Sequence, residues 1–315
     1  MRSLPLVLLA AAALGCAARD TREAADIVLV NGVVWTGDSA GTTTRAIALR
    51  DGRVQLTGSD ADVRRLVGPR TRTIDLAGRL VVPGFIDDHT HFMSGGFQLT
   101  SVDLRSAATP DEFARRIGDF AAALPAGEWI LGGDWDHELW PDAPLPDRAW
   151  FDSLTADHPV AVNRLDGHML VANSRALRLA GITRDTPDPP GGTIVRDARG
   201  EPTGVLKDEA MSLVYRVVPE PSEQARDEAF RRAQQHALSV GVTMVHDMGA
   251  WEDLATYRRA REAGELRMRI YSFVPLGTWQ RLRDFVEAEG IGDDHLRWGG
   301  LKGFVDGSLG STTAW

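Results

Sequence analysis

The stretch of sequence that decides the fold of this chain is Arg79-Leu-Val-Val-Pro-Gly-Phe-Ile-Asp-Asp-His-Thr-His91. Its apolar residues predict a buried strand, and His89 and His91 stand at the C-terminal end. Side chains two positions apart on a strand point to the same face, so both imidazoles can bind one metal ion. In a parallel α/β barrel, active sites are built at this end of the strands. His-x-His alone is a weak motif, so the rest of the chain has to support it.

The composition limits the partners of the chain without naming one. Its 315 residues suffice for one or two domains, and 43% hydrophobic with 25% charged residues is ordinary for a globular protein. The formal net charge is −9, and no basic run is longer than an Arg-Arg pair. These features argue against a surface that binds nucleic acid.

The first 20 residues predict an export signal. Arg2 precedes an apolar run at residues 4–14, which is too short to cross a bilayer as a helix. Cys16, the single cysteine, follows Ala13-Leu-Gly15, which resembles the cleavage box of bacterial lipoproteins except that Leu is usual where Ala13 stands. We expect lipidation of Cys16 and a periplasmic or membrane-anchored lipoprotein. Ordinary signal cleavage after Ala18 is the alternative.

Residues 25–80 predict a small N-terminal β-sandwich made of short strands and tight turns. Asn31-Gly32 and Asp51-Gly52 are typical of two-residue β-hairpin turns. A further strand at 73–76 leads through Ala77-Gly78 into the strand that ends at the histidines. The strand pairs that the two hairpins would join are 26–30 with 33–35, and 46–49 with 53–56.

Residues 94–221 are mixed in pattern and predict a large insertion over one face of a barrel. After it, strands alternate with helices, which indicates a parallel sheet. The capping residues expected to begin helices are Thr109, Asn173 and Ser222. The other predicted elements are a hairpin of 193–195 with 203–206, an aromatic and acidic loop at 132–140, and helices near 251–263 and 278–289.

Motifs spread along the chain resemble, in the same order, those of the amidohydrolase superfamily, and more narrowly of its exported YtcJ-like branch, amidohydrolase family 3. Together they cover almost the whole chain after the signal and are far more specific than His-x-His alone. The motifs are Val82-Pro-Gly-Phe-Ile-Asp-Asp-His-Thr-His91, Asp166-Gly-His168, Pro189-Pro-Gly-Gly192, Glu201-Pro-Thr-Gly-Val205, Gly241-Val-Thr-Met-Val-His-Asp247 and Leu301-Lys-Gly-Phe-Val-Asp-Gly307.

The resemblance implies a TIM-type (β/α)8 barrel that holds one or two divalent metal ions, usually zinc. The first barrel strand supplies His89 and His91, and the fourth supplies a lysine carboxylated by CO2, here Lys302. Burial lowers the pKa of a lysine, so the neutral amine that captures CO2 is accessible. The metal ions polarise a substrate carbonyl and turn bound water into hydroxide. A surface lysine that reaches solvent is the alternative for Lys302.

The same resemblance implies ligands that have no counterpart after Lys302, namely histidines on strands five and six and an aspartate on strand eight. We therefore assign no catalytic residue. Four strands would leave open sheet edges, so we expect residues 81–315 to be the first half of a barrel in a longer enzyme, inactive and poorly folded alone. The four barrel strands are expected at about 79–91, 242–247, 266–274 and 300–305.

Other residues are candidates for the substrate site. His168 and Asp306 are expected near substrate, while Trp135 and His137 stand in an aromatic loop suited to a pocket wall. His246, at the end of the second barrel strand, is a candidate support for a metal ligand. The structural alternatives are a hydrogen-bonded loop for His168, a plain turn at Asp306-Gly307, a packed surface loop for Trp135 and His137, and core packing for His246.

The function that these residues predict is metal-dependent hydrolysis of carbon–nitrogen bonds other than peptide bonds, in small amides, formamides or cyclic amides. Two alternatives stay open. One is a lipid-anchored binding module without turnover, and the other is the same barrel acting on esters or lactones. The sequence does not predict the oligomeric state.

Overall fold

A computed structural model describes residues 23–305. The predicted signal segment with Cys16, and the candidate Asp306, lie outside these residues. The chain divides into two compact units between Gly84 and Phe85. Among the described helices, none combines the length and the apolar character needed to cross a membrane.

The described part of the first unit contains two small sheets. One has the strand order β5-β4-β1-β6 and the other the order β3-β2-β7. The elements are β1 Ile27–Val30, β2 Val33–Trp35, β3 Thr43–Thr44, β4 Ala46–Arg50, β5 Arg53–Gly58, α1 Asp60–Arg64, β6 Arg72–Asp75 and β7 Leu80–Val81.

One of the two predicted hairpins is confirmed and the other is wrong. β4 and β5 pair antiparallel across Asp51 and Gly52, whose φ angles of 49° and 71° suit a tight hairpin turn. β1 does not pair with β2, because β4 and β6 occupy both of its edges. Asn31 does adopt a turn conformation, with φ 59°. The turn leads the chain from one sheet into the other, so its local preference is met without a hairpin.

The second unit contains the remaining elements in a mixed order of strands and helices. In the first half these are β8 Phe85–Thr90, α2 Phe92–Thr100, β9 Val102–Asp103, α3 Pro110–Ala123, β10 Gly132–Trp135, β11 Ala161–Arg164, β12 Met169–Ala172 and α4 Ser174–Leu179. The later ones are β13 Gly192–Arg196, β14 Pro202–Asp208, α5 Ser212–Tyr215, α6 Glu223–Ser239, β15 Val242–Met248, α7 Trp251–Glu262, β16 Arg269–Pro275, α8 Trp279–Glu289 and β17 Leu296–Lys302.

A four-stranded parallel sheet has the order β17-β16-β15-β8. All three of its strand pairings are parallel, which confirms the predicted α/β alternation. The last strand covers Leu296–Lys302 instead of the predicted 300–305. Closure into an eight-stranded barrel stays a prediction.

The strand that carries the histidine motif differs from the expectation. It is interrupted at Pro83-Gly84, and β8 begins at Phe85. Instead of being buried, Phe85 and Ile86 are 59% and 60% exposed. Among the described strands of its sheet, β8 pairs with β15 alone and forms an edge, so no further strand covers its apolar side chains.

Helix α2 occupies the residues where the insertion was expected to begin. Helix propensity does not predict this helix, because it contains two adjacent glycines, Gly95 and Gly96. The structure explains one of them, since a Cβ on Gly96 would lie 2.3 Å from the carbonyl oxygen of Ala229 in α6. Close packing against α6 therefore holds α2 in place.

The insertion folds as a six-stranded sheet with the order β13-β14-β12-β11-β10-β9. The predicted β13–β14 hairpin is confirmed, and Thr109, Asn173 and Ser222 each accept a backbone hydrogen bond at the start of a helix. The predicted loop at 132–140 is wrong in its first half, which is the strand β10.

Candidate metal centre

His89 and Lys302 meet although they lie on the two outermost strands of the four-stranded sheet. Lys302 Nζ is 3.1 Å from His89 Nε2. In a flat sheet, strands three positions apart are separated by about 14 Å. The sheet must therefore curve, so that these two long side chains reach each other over its concave face.

His91 stands beside His89 but is no longer part of the strand. β8 ends at Thr90, and His91 is the N-cap residue of α2, with φ −108° and ψ 72°. The two imidazole rings have centroids 6.0 Å apart and planes inclined by 53°. Both side chains are exposed, so their ring nitrogens are accessible to a ligand.

The donor set can be tested against the metal that the motif predicts. Two imidazoles suit Zn²⁺ and similar divalent ions. Among the described residues, no group of three or more His, Cys, Asp or Glu side chains is arranged to hold a metal. A protonated lysine is not a ligand, whereas a carboxylated lysine offers oxygen donors. The residues present therefore fit a divalent metal when Lys302 contributes as a carbamate.

Two hydrogen bonds to β15 fix the backbone on either side of His91. Thr90 Oγ1 donates to the carbonyl oxygen of His246 at 3.1 Å. The Phe92 N–H donates to Asp247 Oδ1 at 2.8 Å. Tyr257 donates its hydroxyl to the other carboxylate oxygen at 2.7 Å, so both oxygens of Asp247 have buried donors.

Asp247 is the residue of this site that sequence reasoning missed. Its side chain is completely buried, and burial raises the pKa of the carboxyl to about 6, although the hydrogen bonds from Tyr257 and Phe92 act to lower it. The available signal was a carboxylate near the end of the strand Val242–Met248, four of whose seven residues are Val or Met, since buried carboxylates are rare unless they have partners.

His246 packs among aromatic side chains on the same sheet. Its ring is perpendicular to that of Tyr271, with centroids 5.4 Å apart, and 6.2 Å from that of Phe273. The contact with the segment that carries the two candidate ligands is made by the backbone carbonyl of His246, which accepts a hydrogen bond from the Thr90 hydroxyl. A supporting role for the imidazole itself stays a prediction.

Trp135 and His137 lie in the core of the insertion instead of lining an open pocket. Trp135 has no exposed surface, and its indole N–H donates to the carbonyl oxygen of Val162 at 2.9 Å. His137 is 9% exposed, and its ring contacts those of Trp135 and Trp140. Trp135 faces inward from β10, so the pocket-wall interpretation does not suit its position.

His168 is exposed in the turn just before β12, an inner strand of the six-stranded sheet. Its ring Nδ1 lies 3.0 Å from Asp208 Oδ1, and its backbone N–H donates to Asp166 Oδ1 at 3.1 Å. Asp208 has a left-handed φ of 48°, a conformation uncommon for a non-glycine residue. Asp208 contacts Nδ1 of His168 and not Nε2. A contact between His168 and substrate stays a prediction.

Comparisons with known proteins identify a family that matches most of the chain. A family model described as "Amidohydrolase family" matches residues 72–315. The chain is 41% identical over 302 residues to Protein LONG AFTER FAR-RED 3 of Arabidopsis thaliana, which covers 92% of this chain and 52% of that protein. It is 32% identical over 293 residues to YtcJ of Bacillus subtilis (strain 168), covering 90% of this chain and 54% of the relative.

Two further similarities concern an enzyme and a solved structure. The chain is 31% identical over 297 residues to the N-substituted formamide deformylase of Arthrobacter pascens, covering 89% and 54% of the two chains. The crystal structure of an uncharacterised metal-dependent hydrolase from Pyrococcus furiosus matches with a TM-score of 0.72 and 26% identity, over 90% of this chain and 57% of that one. The chain thus spans about half the length of the curated relatives it matches. With the family model matched from residue 72 onward, the chain belongs to the amidohydrolase family, in its YtcJ-like branch.

Proposed function

We propose that the protein is a metal-dependent hydrolase of carbon–nitrogen bonds other than peptide bonds, acting on small amides, formamides or cyclic amides. The observation that carries this proposal is the 3.1 Å approach of Lys302 Nζ to His89 Nε2 across the concave face of the sheet. Family membership and the relative named as a formamide deformylase support the reaction class.

In this proposal His89 and His91 hold a divalent ion, zinc by preference, through their ring nitrogens. Lys302 is half-buried and holds its amine 3.1 Å from His89 Nε2. That amine adds to CO2 and releases one proton, which gives a carbamate whose oxygens complete the donor set. A bound divalent metal would polarise the substrate carbonyl and lower the pKa of its water toward neutrality.

The protein's own contribution is to hold these donors before substrate arrives. His89 is fixed by the strand β8, and His91 by the hydrogen bonds of Thr90 and Phe92 to β15. Lys302 ends β17, so its side chain projects from the carboxyl end of the parallel sheet. Donors on rigid elements lose little entropy on binding a metal.

Metal analysis tests this assignment. The variant His89→Ala with His91→Ala is expected to lose nearly all bound zinc after equilibration and desalting. The matched control is His236→Ala with His295→Ala, which removes two exposed imidazoles elsewhere and is expected to bind as much zinc as the wild type. Equal zinc content in all three proteins would contradict the assignment of a metal site to His89 and His91.

The reaction class is tested separately by formate release from N-substituted formamides, with release of ammonia or amine from simple amides as the comparison.

We also propose that the protein is exported and anchored through lipidated Cys16. Labelling with radioactive palmitate in cells is expected for the wild type and not for Cys16→Ser. An unlabelled wild type would exclude the anchor.

A further inference from the structure

His91 holds an unusual position for a metal-ligand candidate, because it is also the residue that begins a helix. An N-cap side chain commonly accepts a hydrogen bond from the first turn of its helix. Within the described residues, the His91 side chain makes no such capping bond to α2. The imidazole is therefore not engaged by the helix that it begins.

The acceptor for the start of α2 comes instead from another strand. Asp247 Oδ1 accepts the N–H of Phe92, the first residue of α2, at 2.8 Å. One residue earlier along β15, the carbonyl oxygen of His246 accepts the hydroxyl of Thr90. Both chain neighbours of His91 are thus tied to consecutive residues of one strand, which restricts the backbone from which the imidazole projects.

The carboxylate of Asp247 is itself held in place. The hydroxyl of Tyr257, a fully buried residue of α7, donates to Asp247 Oδ2 at 2.7 Å. A Cβ on Gly249 would lie 2.4 Å from the same oxygen, so the carboxylate occupies space that only a glycine leaves open. A buried carboxylate disfavours folding unless hydrogen-bond donors satisfy it. An apolar side chain would fill the same space at lower cost, so packing alone does not explain an aspartate at position 247.

We propose that Asp247, oriented by Tyr257, is a positioning residue for His91. It accepts the N–H of the first residue of α2, which has no acceptor within the helix, and so holds the backbone beside His91 while the imidazole stays free to bind metal. The metal part of this inference rests on the proposed function, whereas the backbone part does not.

The experiment compares Asp247→Ala, Asp247→Asn and Tyr257→Phe with the wild-type chain. The matched control is Thr256→Val, which removes a buried hydroxyl one residue before Tyr257. This hydroxyl donates to the Glu252 carbonyl oxygen and accepts from Arg259. One readout is hydrogen exchange of the Phe92 amide. The other is Co²⁺ affinity, with the visible spectrum of the bound Co²⁺ as the signature of histidine ligation.

Asp247→Ala is expected to speed Phe92 exchange at least tenfold and to weaken Co²⁺ binding by about 10–100-fold, the range for groups that orient a ligand. Asp247→Asn keeps an acceptor for Phe92 and is expected to restore most of the protection. Tyr257→Phe should weaken Co²⁺ binding a few-fold and alter the spectrum. Thr256→Val should change neither readout.

Unchanged Phe92 exchange in Asp247→Ala, or in Tyr257→Phe if the alanine variant does not fold, would overturn the positioning role. Equal Co²⁺ affinity and spectrum in Tyr257→Phe, Asp247→Asn and Thr256→Val would overturn it as well. If the wild type binds no Co²⁺, the proposed function fails, and the exchange arm still decides whether Asp247 holds the backbone around His91.

Discussion

The six-stranded sheet of the insertion and the four-stranded parallel sheet differ in how many of their faces are buried. In the insertion, successive residues point into two different cores, as Val162 and Ala161 do on β11 and as Val171 and Leu170 do on β12. Both faces of that sheet are therefore packed. The parallel sheet has one buried face, which contains Val245 and Ile270.

The open side of the parallel sheet carries the candidate chemistry. Phe304 is 83% exposed there, with Lys302 Nζ 5.2 Å from the centre of its ring, and Lys302 meets His89 on this side. Residue types that suggest function in the insertion, Trp135 and His137, are instead buried. The difference shows that accessibility, more than residue type, separates the candidate metal ligands from ordinary core.

The largest expected contrast in stability lies between these two regions. Trp135→Ala should lower the free energy of unfolding by about 3–5 kcal/mol, because it empties a closed core. His89→Ala removes an exposed side chain and should change it by no more than about 0.5 kcal/mol. Urea denaturation of both variants measures the contrast. A similar loss in both would contradict the open character of the histidine face.

A smaller effect tests how the buried face of the parallel sheet is covered. Gly96→Ala should cost about 1–3 kcal/mol, because its Cβ would meet the backbone of Ala229 in α6. The adjacent Gly95 has nothing within 4 Å of the corresponding position, so Gly95→Ala should stabilise the helix by up to about 1 kcal/mol. Thermal unfolding of the two variants measures the difference. Shifts of the same sign would mean that α2 does not pack closely on α6.

The smallest effect concerns the polar turn between β11 and β12 of the insertion. Burial acts to raise the pKa of Asp166, but hydrogen bonds from the His168 N–H and from Arg164 outweigh it, and the pKa lies below its usual 3.8. A lowered folded-state pKa contributes stability above pH 3.8, which is lost as the pH falls through the folded value. Asp166→Asn should therefore be slightly less stable than the wild type at pH 7.

The difference between Asp166→Asn and the wild type should shrink below about pH 4, as measured by urea denaturation across pH. Asp157→Asn, a change at another exposed aspartate of the insertion, is the control for the effect of the substitution itself. A constant difference at all pH values would mean that the Arg164–Asp166 pair contributes nothing through charge.

Sequence reasoning succeeded where a feature depends on neighbours along the chain. The caps at Thr109, Asn173 and Ser222 and the turn at Asp51-Gly52 are local hydrogen bonds or backbone preferences, and the structure contains them. It failed where distant partners compete. Asn31-Gly32 forms its turn, but β4 and β6 occupy both edges of β1.

The sequence by itself determined the alternation of strands and helices, the family and the pairing of His89 with His91, because periodicity and motif spacing are properties of short segments. The tertiary structure alone decided that β8 is exposed, that Trp135 is core, and that Asp247 caps the helix beginning after His91. It also brought Lys302 to His89 across 213 positions of sequence. Such contacts depend on sheet curvature and on which edges and cavities other elements leave free, which no local pattern contains.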